Sequence, residues 1–185
     1  TYPDAILQTD VKDQLTRVYG AAHLNLTDRL KAVVGGSLMW LKTTGTSYDV
    51  DQYRKDSKFS PYAGLIFDLD KHVSLYASYT DIYNPQPEVD ITNRRLAPAK
   101  GTSLEAGIKS QWFDNRLYAT AAIFRAKQSG LAEFAGTFDD SLRSYYTGVD
   151  TTSTGFELEV AGNITDQWSL SGGYTHLDIE DEDGN

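Results

Sequence analysis

The 185-residue sequence contains no cysteine, which excludes a disulfide framework, a thiolate nucleophile and a cysteine-ligated metal. It also lacks any run close to the roughly 20 consecutive apolar residues that a membrane-spanning helix needs. Basic residues are outnumbered by acidic ones, 17 to 26, and the net charge of −9 argues against a nucleic-acid partner. The opening segment TYPDAILQ has no charged-then-apolar leader, so we expect a mature protein or a piece of a longer one.

Residue patterns that support catalysis or metal binding are missing as well. There is no GxSxG nucleophile motif, and the three histidines, His23, His72 and His176, are far apart without metal-ligand spacing. The acidic run from Asp178 to Asp183 lacks the spacing of a calcium-binding loop. We therefore expect a protein that is not an enzyme and holds no metal of its own.

What the sequence does contain is alternation of apolar and polar residues with a period of two, which predicts strands with two different faces. In one segment Val73, Leu75, Ala77 and Tyr79 would face one way and the residues between them the other. The sixth strand has an uncertain phase, because its apolar residues include two consecutive positions, 123 and 124. About eight strands are predicted, near residues 14–26, 30–42, 59–69, 73–82, 102–113, 117–128, 145–161 and 168–179.

Four short polar turns recur along the chain, and each lies between two strand-like runs. The connections at the other end are longer, at residues 43–57, 83–101, within 128–147, and from near Glu180. Short turns at one end and long loops at the other are typical of outer-membrane β-barrels. The four turns contain Asp28, Asp70, Asp114 and Asp166.

Aromatic residues are concentrated near both ends of the predicted strands. Two bands of aromatic residues one strand length apart are typical of the two interfaces of a membrane. In a soluble β-sandwich the apolar face would instead form a core, so alternation by itself leaves both folds open. Trp112, Trp168, Phe113 and Phe67 lie near the short turns, and Trp40, Tyr79 and Tyr83 lie at the opposite ends.

Five segments together resemble TonB-dependent ferric-siderophore receptors of the Gram-negative outer membrane, in particular the subgroup for hydroxamate-type or pyoverdine-type siderophores. They cover most of the chain in the family's order. One departure is Ala99, where the family more often has an acidic residue after the proline. The segments are YGAAHLNLTDRLKAVVGGSLMW at 19–40, SPYAGLIFDLDKHVSLYASYTDIYNPQ at 60–86, LAPAKGTSLEAGIK at 96–109, AAIFRAKQSGLA at 121–132 and TGFELEVAGNITDQWSLSGGYTHLD at 154–178.

The resemblance implies an all-β fold, an antiparallel up-and-down transmembrane barrel of roughly 22 strands closed around a plug. Residues 1–185 would be an internal part of that single barrel domain, without the plug domain, the TonB-contacting box or the C-terminal strands. The closing EDEDGN would begin an extracellular loop. Implied partners are a ferric siderophore, outer-membrane lipid, and the TonB complex through the missing N-terminal part. Iron would enter as the siderophore complex, so no cofactor is expected.

A ferric siderophore is a bulky, often anionic chelate with apolar patches, which suits aromatic faces and guanidinium groups. The resemblance therefore implies that the aromatic and arginine residues of the long connections form part of an extracellular ligand vestibule. The candidate ligand-binding residues are Tyr48, Tyr53, Arg54, Tyr83, Arg94, Arg95, Arg143, Tyr145 and Tyr146.

Two other interpretations remain open at this point. A complete small outer-membrane barrel of eight strands, with a structural or adhesive role, would fit the chain length. It should end in a strand with a terminal aromatic residue, whereas this chain ends in an acidic segment. A soluble acidic β-sandwich that serves as a binding module would instead stay monodisperse without detergent.

Overall fold

A computed structural model describes residues 9–139 and 143–181, which form one antiparallel sheet of nine strands. The opening TYPDAILQ segment, residues 140–142, and residues 182–185 of the closing acidic segment lie outside the described residues. The described part of the chain contains no helix long and apolar enough to cross a membrane. The strands are β1 (Thr9–Asn25), β2 (Leu30–Ser47), β3 (Val50–Asp51), β4 (Arg54–Asp68), β5 (Val73–Asn84), β6 (Ala99–Trp112), β7 (Leu117–Thr137), β8 (Ser144–Asn163) and β9 (Ser169–Asp181).

Each long strand pairs with its neighbours in sequence, in the order β1-β2-β4-β5-β6-β7-β8-β9, and the two-residue β3 pairs only with β2. All pairings are antiparallel, which confirms the predicted up-and-down fold. Within the described residues β1 and β9 each have one strand neighbour, so the sheet is open at both edges. Eight of the strands are long, as predicted. At the short turns, the observed end of each of these strands lies within a few residues of its predicted end.

The short turns connect β1–β2, β4–β5, β6–β7 and β8–β9, and we call this edge of the sheet the short-turn end. Side-chain oxygens fix three of them. Asp70 Oδ1 accepts hydrogen bonds from the amides of His72 and Val73 at 2.7 and 3.0 Å. Thr27 Oγ1 accepts a hydrogen bond from Leu30 N at 2.9 Å, and Thr165 Oγ1 accepts one from Trp168 N at 3.1 Å. Asp and Thr favour turns because they bond locally in this way.

The two faces of the sheet differ in chemistry, as the alternation predicts. The register places Ala32 beside Leu65, Leu65 beside Ala77, and Ala106 beside Ile123, so one row of apolar residues crosses neighbouring strands. Leu65 is 51% exposed and Ile123 66% exposed. We call this side the apolar face and the opposite side the polar face. A soluble sandwich would cover the apolar face with a second sheet, and the described residues contain none.

On the polar face, aromatic rings lie against glycines of the neighbouring strand. Phe124 is opposite Gly155 in the β7–β8 register, which settles the phase of the sixth predicted strand: Phe124 lies on the polar face and Ile123 on the apolar face. A Cβ added to any of these glycines would lie 2.7 Å or less from a ring atom. The directly opposed pairs are Gly35 with Tyr62, Gly107 with Tyr76, and Gly155 with Phe124.

Two of the predicted long connections are wrong in their bounds, because most of their residues extend the strands. Residues 43–57 include the end of β2, all of β3 and the start of β4, and β7 and β8 take up most of residues 128–147. The β2–β4 extension consists mainly of polar residues, and the β7–β8 extension is interrupted by register shifts at 128–131 and 134–136. Neither therefore continues the apolar alternation by which the sequence pattern reveals a strand. β9 likewise continues to Asp181. Residues 85–98 remain a long connection, and we call this edge the long-loop end.

The predicted bands of aromatic residues are present with one exception. Trp112, Trp168, Phe113 and Phe67 are exposed near the short-turn end, and Trp40 and Tyr79 are exposed towards the other end. Trp112 also stacks on His72, with ring centroids 5.0 Å apart. The prediction for Tyr83 is wrong. Its side chain is buried, with 7% exposed, because its hydroxyl reaches a carboxylate on β4.

Candidate functional site

The connection between β5 and β6 folds into a small hairpin at residues 88–96. Its two arms are joined by a bridge between Val89 and Arg95. The amide of Asp90 donates to Arg94 O at 2.8 Å, which closes the tip. Asn93 has a φ of 60°, in the left-handed region that asparagine tolerates better than most residues. The residue type at position 93 therefore suits the shape of this tip.

Asn93 links this 88–96 hairpin to two other connections. Its side chain is buried, with 6% exposed. Asn93 Nδ2 donates to Ser47 O at 2.6 Å, and Gln52 Nε2 donates to Asn93 O at 2.5 Å. Arg143 Nη1 donates to Asn93 Oδ1 at 2.9 Å. One residue thus joins the β2–β3–β4 connection, the β5–β6 connection and the segment before β8.

Arg143 lies between aromatic rings. Its guanidinium carbon is 3.4 Å from the ring centroid of Tyr48 and 4.6 Å from that of Phe138. Phe138 in turn contacts Tyr145 edge-on, with centroids 5.4 Å apart. Cation–π contacts of this kind strengthen when the cation is partly desolvated, so we expect them to hold the β7–β8 tip against the tight turn at 48–49.

Two other candidate residues are tied to the strands. Tyr83 at the end of β5 donates its hydroxyl hydrogen bond to Asp56 Oδ2 at 2.7 Å. Arg54 Nη1 donates to Leu96 O at 2.6 Å, which fixes the 88–96 hairpin against β4. These polar groups therefore hold the 88–96 hairpin and the end of β5 against β4.

The 88–96 hairpin is also fixed from its sides. Arg95 forms an ion pair with Asp13 of β1, with Nη2 and Oδ2 3.1 Å apart. The amide of Tyr146 donates to Val89 O at 2.8 Å, and the Tyr146 ring meets Phe134 edge-on. The hairpin is therefore held by β1 on one side and by β8 on the other.

Tyr53 and Arg94 are the candidates whose side chains remain exposed. Tyr53 is 63% exposed and lies in the two-residue link between β3 and β4. Arg94 is exposed at the tip of the 88–96 hairpin. Both are at the long-loop end, so a ligand arriving from outside could contact them without breaking an internal bond.

Sequence reasoning missed three buried amide side chains in this region, Gln52, Gln86 and Asn93. Gln86 is 4% exposed. Its Nε2 donates to Ala97 O at 2.8 Å and to Gly130 O at 2.7 Å, while its Oε1 accepts from Ala132 N at 2.8 Å. The partners are up to 46 residues away, so no local pattern shows them. The Asn-Pro-Gln element at 84–86 is the one feature of the sequence that draws attention to this position.

Comparisons with known proteins agree with this geometry. The model of the family described as TonB dependent receptor-like, beta-barrel, matches residues 1–185. The chain belongs to the TonB-dependent receptor β-barrel family. Such receptors are outer-membrane β-barrel proteins and not enzymes, so the predicted antiparallel β-barrel architecture, the outer-membrane location and the non-enzymatic class are confirmed.

Two pyoverdine receptors show how the chain relates to that family. The ferripyoverdine receptor of Pseudomonas aeruginosa is 32% identical over 98% of this chain and 23% of its own length. The ferric-pyoverdine M114 receptor of Pseudomonas sp. is 36% identical over 89% of this chain and 21% of its own. The crystal structure of the former bound to ferripyoverdine superposes with a TM-score of 0.79 over 95% of this chain and 24% of that one, at 32% identity. The chain thus spans about a quarter of the length of these relatives.

Asp90 makes the 88–96 hairpin sensitive to acid. Burial raises the pKa of Asp90, but hydrogen bonds from the Thr92 hydroxyl and from the amides of Arg94 and Thr92 outweigh burial and hold the pKa below its usual value. The carboxylate therefore stabilises the hairpin fully above the unfolded pKa of about 3.9, and this stabilisation is lost as pH falls through the lowered folded pKa.

We expect amide exchange at Thr92 and Arg94, corrected for the intrinsic effect of pH, to be constant from pH 7 to 5 and to rise below about pH 4. The Asp90→Asn variant should lack that rise. An equal rise in the variant would mean that another carboxylate controls the hairpin.

Proposed function

We propose that the protein containing this chain binds a ferric siderophore of the pyoverdine type at the long-loop end and imports it with energy from TonB. The observation that carries the proposal is the joining of arginine and aromatic side chains by Asn93 into one cluster at the end opposite the short turns. The similarity to pyoverdine receptors supports the ligand class.

The chemistry of the cluster fits such a ligand. Tyr53 offers an aromatic face and Arg94 a planar cation, and both are exposed. A ferric chelate that carries negative charge and apolar patches would be attracted by both kinds of group. Beneath them, the internal bonds of Arg54, Tyr83 and Arg95 would keep the vestibule in shape before the ligand arrives, which lowers the entropic cost of binding.

The test uses the whole receptor purified from outer membranes. Ferric pyoverdine should bind, while iron-free pyoverdine and ferric citrate should bind much more weakly. Uptake of radioactive iron from ferric pyoverdine should stop in cells without TonB. Absence of binding, or uptake that persists without TonB, would overturn the proposal.

Arg94→Ala should weaken the binding of ferric pyoverdine by about tenfold, the effect of losing roughly 1.4 kcal/mol of contact energy. The reason is that its exposed cation would contact the anionic ligand directly. Arg116→Ala is the matched control, since Arg116 lies at the short-turn end, paired with Asp166 at 2.6 Å. Equal dissociation constants for the two variants would exclude Arg94 from the vestibule.

We also propose that residues 1–185 are one part of a barrel domain that includes further strands and a plug. The support is the share of the relatives that the chain spans, 21–24%. Intact mass spectrometry of the native protein should give a mass several times 20.5 kDa. A mass near 20.5 kDa would leave the small complete barrel as the better interpretation.

A further inference from the structure

Two lysines face each other on the outside of the sheet. Lys42 of β2 and Lys55 of β4 are direct partners in the register. Both are exposed, and neither has an ion-pair partner among the described residues. Like charges directly opposite each other destabilise a strand pair. The chain as a whole is acidic, with a net charge of −9, yet no carboxylate of the described residues pairs with these two lysines. An anionic group from outside the chain would remove their repulsion.

The lysines lie on the apolar face, just beyond its aromatic band. Lys42 is two residues after Trp40, and Lys55 is two residues before Ser57, the partner of Trp40. Because strand side chains alternate with a period of two, both lysines share the face of Trp40. Lys12 lies on the same side of β1, two residues before Gln14, the partner of Lys42. The three ammonium groups therefore belong to the outside of the barrel wall at the long-loop end.

Below the lysine pair, the surface forms a groove of about 640 Å³. Lys42, Lys55 and Trp40 line this groove, together with the hydrogen-bonding side chains of Gln14 and Thr16 of β1. Asp56 also contributes to the lining, but by strand alternation its side chain belongs to the face opposite Lys55, and its carboxylate accepts a hydrogen bond from the Tyr83 hydroxyl at 2.7 Å. Such a groove has a polar, cationic top and an aromatic floor at the depth where a membrane changes from headgroups to acyl chains.

We propose that this groove binds the phosphate-bearing headgroup of an anionic lipid in the outer leaflet of the outer membrane. The phosphate oxygens accept hydrogen bonds from Lys42 and Lys55, which relieves their mutual repulsion, and the upper acyl chain lies against Trp40. β2 is flanked on both sides by described strands, β1 and β4, so a further strand of the barrel could not reach Lys42 directly. The inference rests on the outer-membrane location and is independent of the siderophore.

The test measures lipid binding by the whole receptor in mild detergent, using native mass spectrometry. The probes are the bis-phosphorylated glycolipid lipid A and zwitterionic phosphatidylcholine. Wild type should prefer lipid A, and each of Lys42→Gln and Lys55→Gln should lower that affinity about fivefold. Lys71→Gln is the control and removes an exposed charge at the short-turn end. Its affinity for lipid A should stay within about twofold of wild type, because salt screens the attraction between charges that lie further apart than a Debye length.

Three outcomes would overturn the proposal: unchanged lipid A affinity in the double variant Lys42→Gln/Lys55→Gln, an equal loss in Lys71→Gln, or equal affinity of wild type for the two lipids. A further experiment measures whether millimolar inorganic phosphate displaces bound lipid A. If it displaced lipid A fully, the site would be an anion site that does not require a lipid, and the proposal would fail. The substituted lysines are exposed, and a thermal unfolding midpoint equal to that of wild type would show that each variant is folded.

Discussion

Asn93→Gly should lower the affinity of the whole receptor for ferric pyoverdine by between about five- and a hundredfold, because two buried hydrogen bonds worth roughly 1–3 kcal/mol together are removed. Glycine adopts the φ of 60° without strain, so the variant removes the side chain and leaves the backbone geometry accessible. The native side chain donates to Ser47 O and accepts from Arg143. Without these two hydrogen bonds the three connections would no longer hold one arrangement, and ordering them would oppose binding.

Two further substitutions at this position separate the contributions. Asn93→Asp keeps the shape and an acceptor for Arg143, but it replaces the donor to Ser47 O by a carboxylate oxygen that repels the carbonyl, so this variant tests the Ser47 hydrogen bond while the Arg143 contact is kept. Asn93→Ala also removes both hydrogen bonds, and unlike glycine it has a Cβ at positive φ without the polar side chain that lets asparagine tolerate this conformation, at a cost of about 1 kcal/mol relative to glycine. Its effect should therefore exceed that of Asn93→Gly.

A readout without ligand distinguishes loosened loops from an impaired ligand contact. The amide of Tyr146, which donates to Val89 O, should exchange faster in Asn93→Gly. Ile91→Ala is the matched control, because Ile91 lies on the same hairpin and is 65% exposed. If Asn93→Gly matched Ile91→Ala in both exchange and affinity, Asn93 would not position the site. If exchange rose but wild type bound no ferric pyoverdine, the positioning role would stand and the ligand assignment would fail.

Gly107→Ala should destabilise the barrel by about 2 kcal/mol, as overpacking of a filled site does. A Cβ on Gly107 would lie 2.5 Å from Ala121 O and 2.7 Å from the ring of Tyr76. The Tyr76 hydroxyl donates to Glu105, and the Lys109 ammonium lies 4.4 Å from the Tyr76 ring centroid. Moving the ring would therefore disturb two further contacts on the polar face.

Gly64→Ala provides the matched control on the same face. Its added Cβ would meet Ala77 O at 3.5 Å, an ordinary contact, with strands paired on both sides. Because alanine is intrinsically better than glycine in a strand, Gly64→Ala should be neutral or stabilising by up to about 1 kcal/mol. Urea unfolding of the whole receptor in lipid vesicles measures both. Equal unfolding free energies for the two variants would show that the Tyr76 ring has room to move.

Strand alternation and turn chemistry made most of the sheet predictable. Both signals are local: the period of two assigns Leu65 and Leu75 to one face, and the Asp70 turn sets where β4 ends and β5 begins. The four short turns then indicated the strand order, because two strands joined by a short turn pair as antiparallel neighbours.

The long-loop end was harder to predict because its contacts are distant in sequence. Asn93 bonds to partners 41, 46 and 50 residues away, and none of those pairings leaves a periodic signal. Tyr83 looked like an interfacial aromatic residue from its place in the strand, and only the hydrogen bond to Asp56 shows why it is buried. Composition indicated arginine and aromatic residues as candidates for this region, but it could not show which of them bond within the structure and which remain exposed.

The order of the strands has an evolutionary consequence. Because every long strand touches only the strands next to it in sequence, a duplicated or deleted hairpin would alter contacts at a single seam and leave the others intact. The short turns, closed by their own side chains, are natural junctions for such events. The circumference of this kind of wall can therefore change in steps of two strands, whereas the connections that share hydrogen bonds with Asn93 would have to change together.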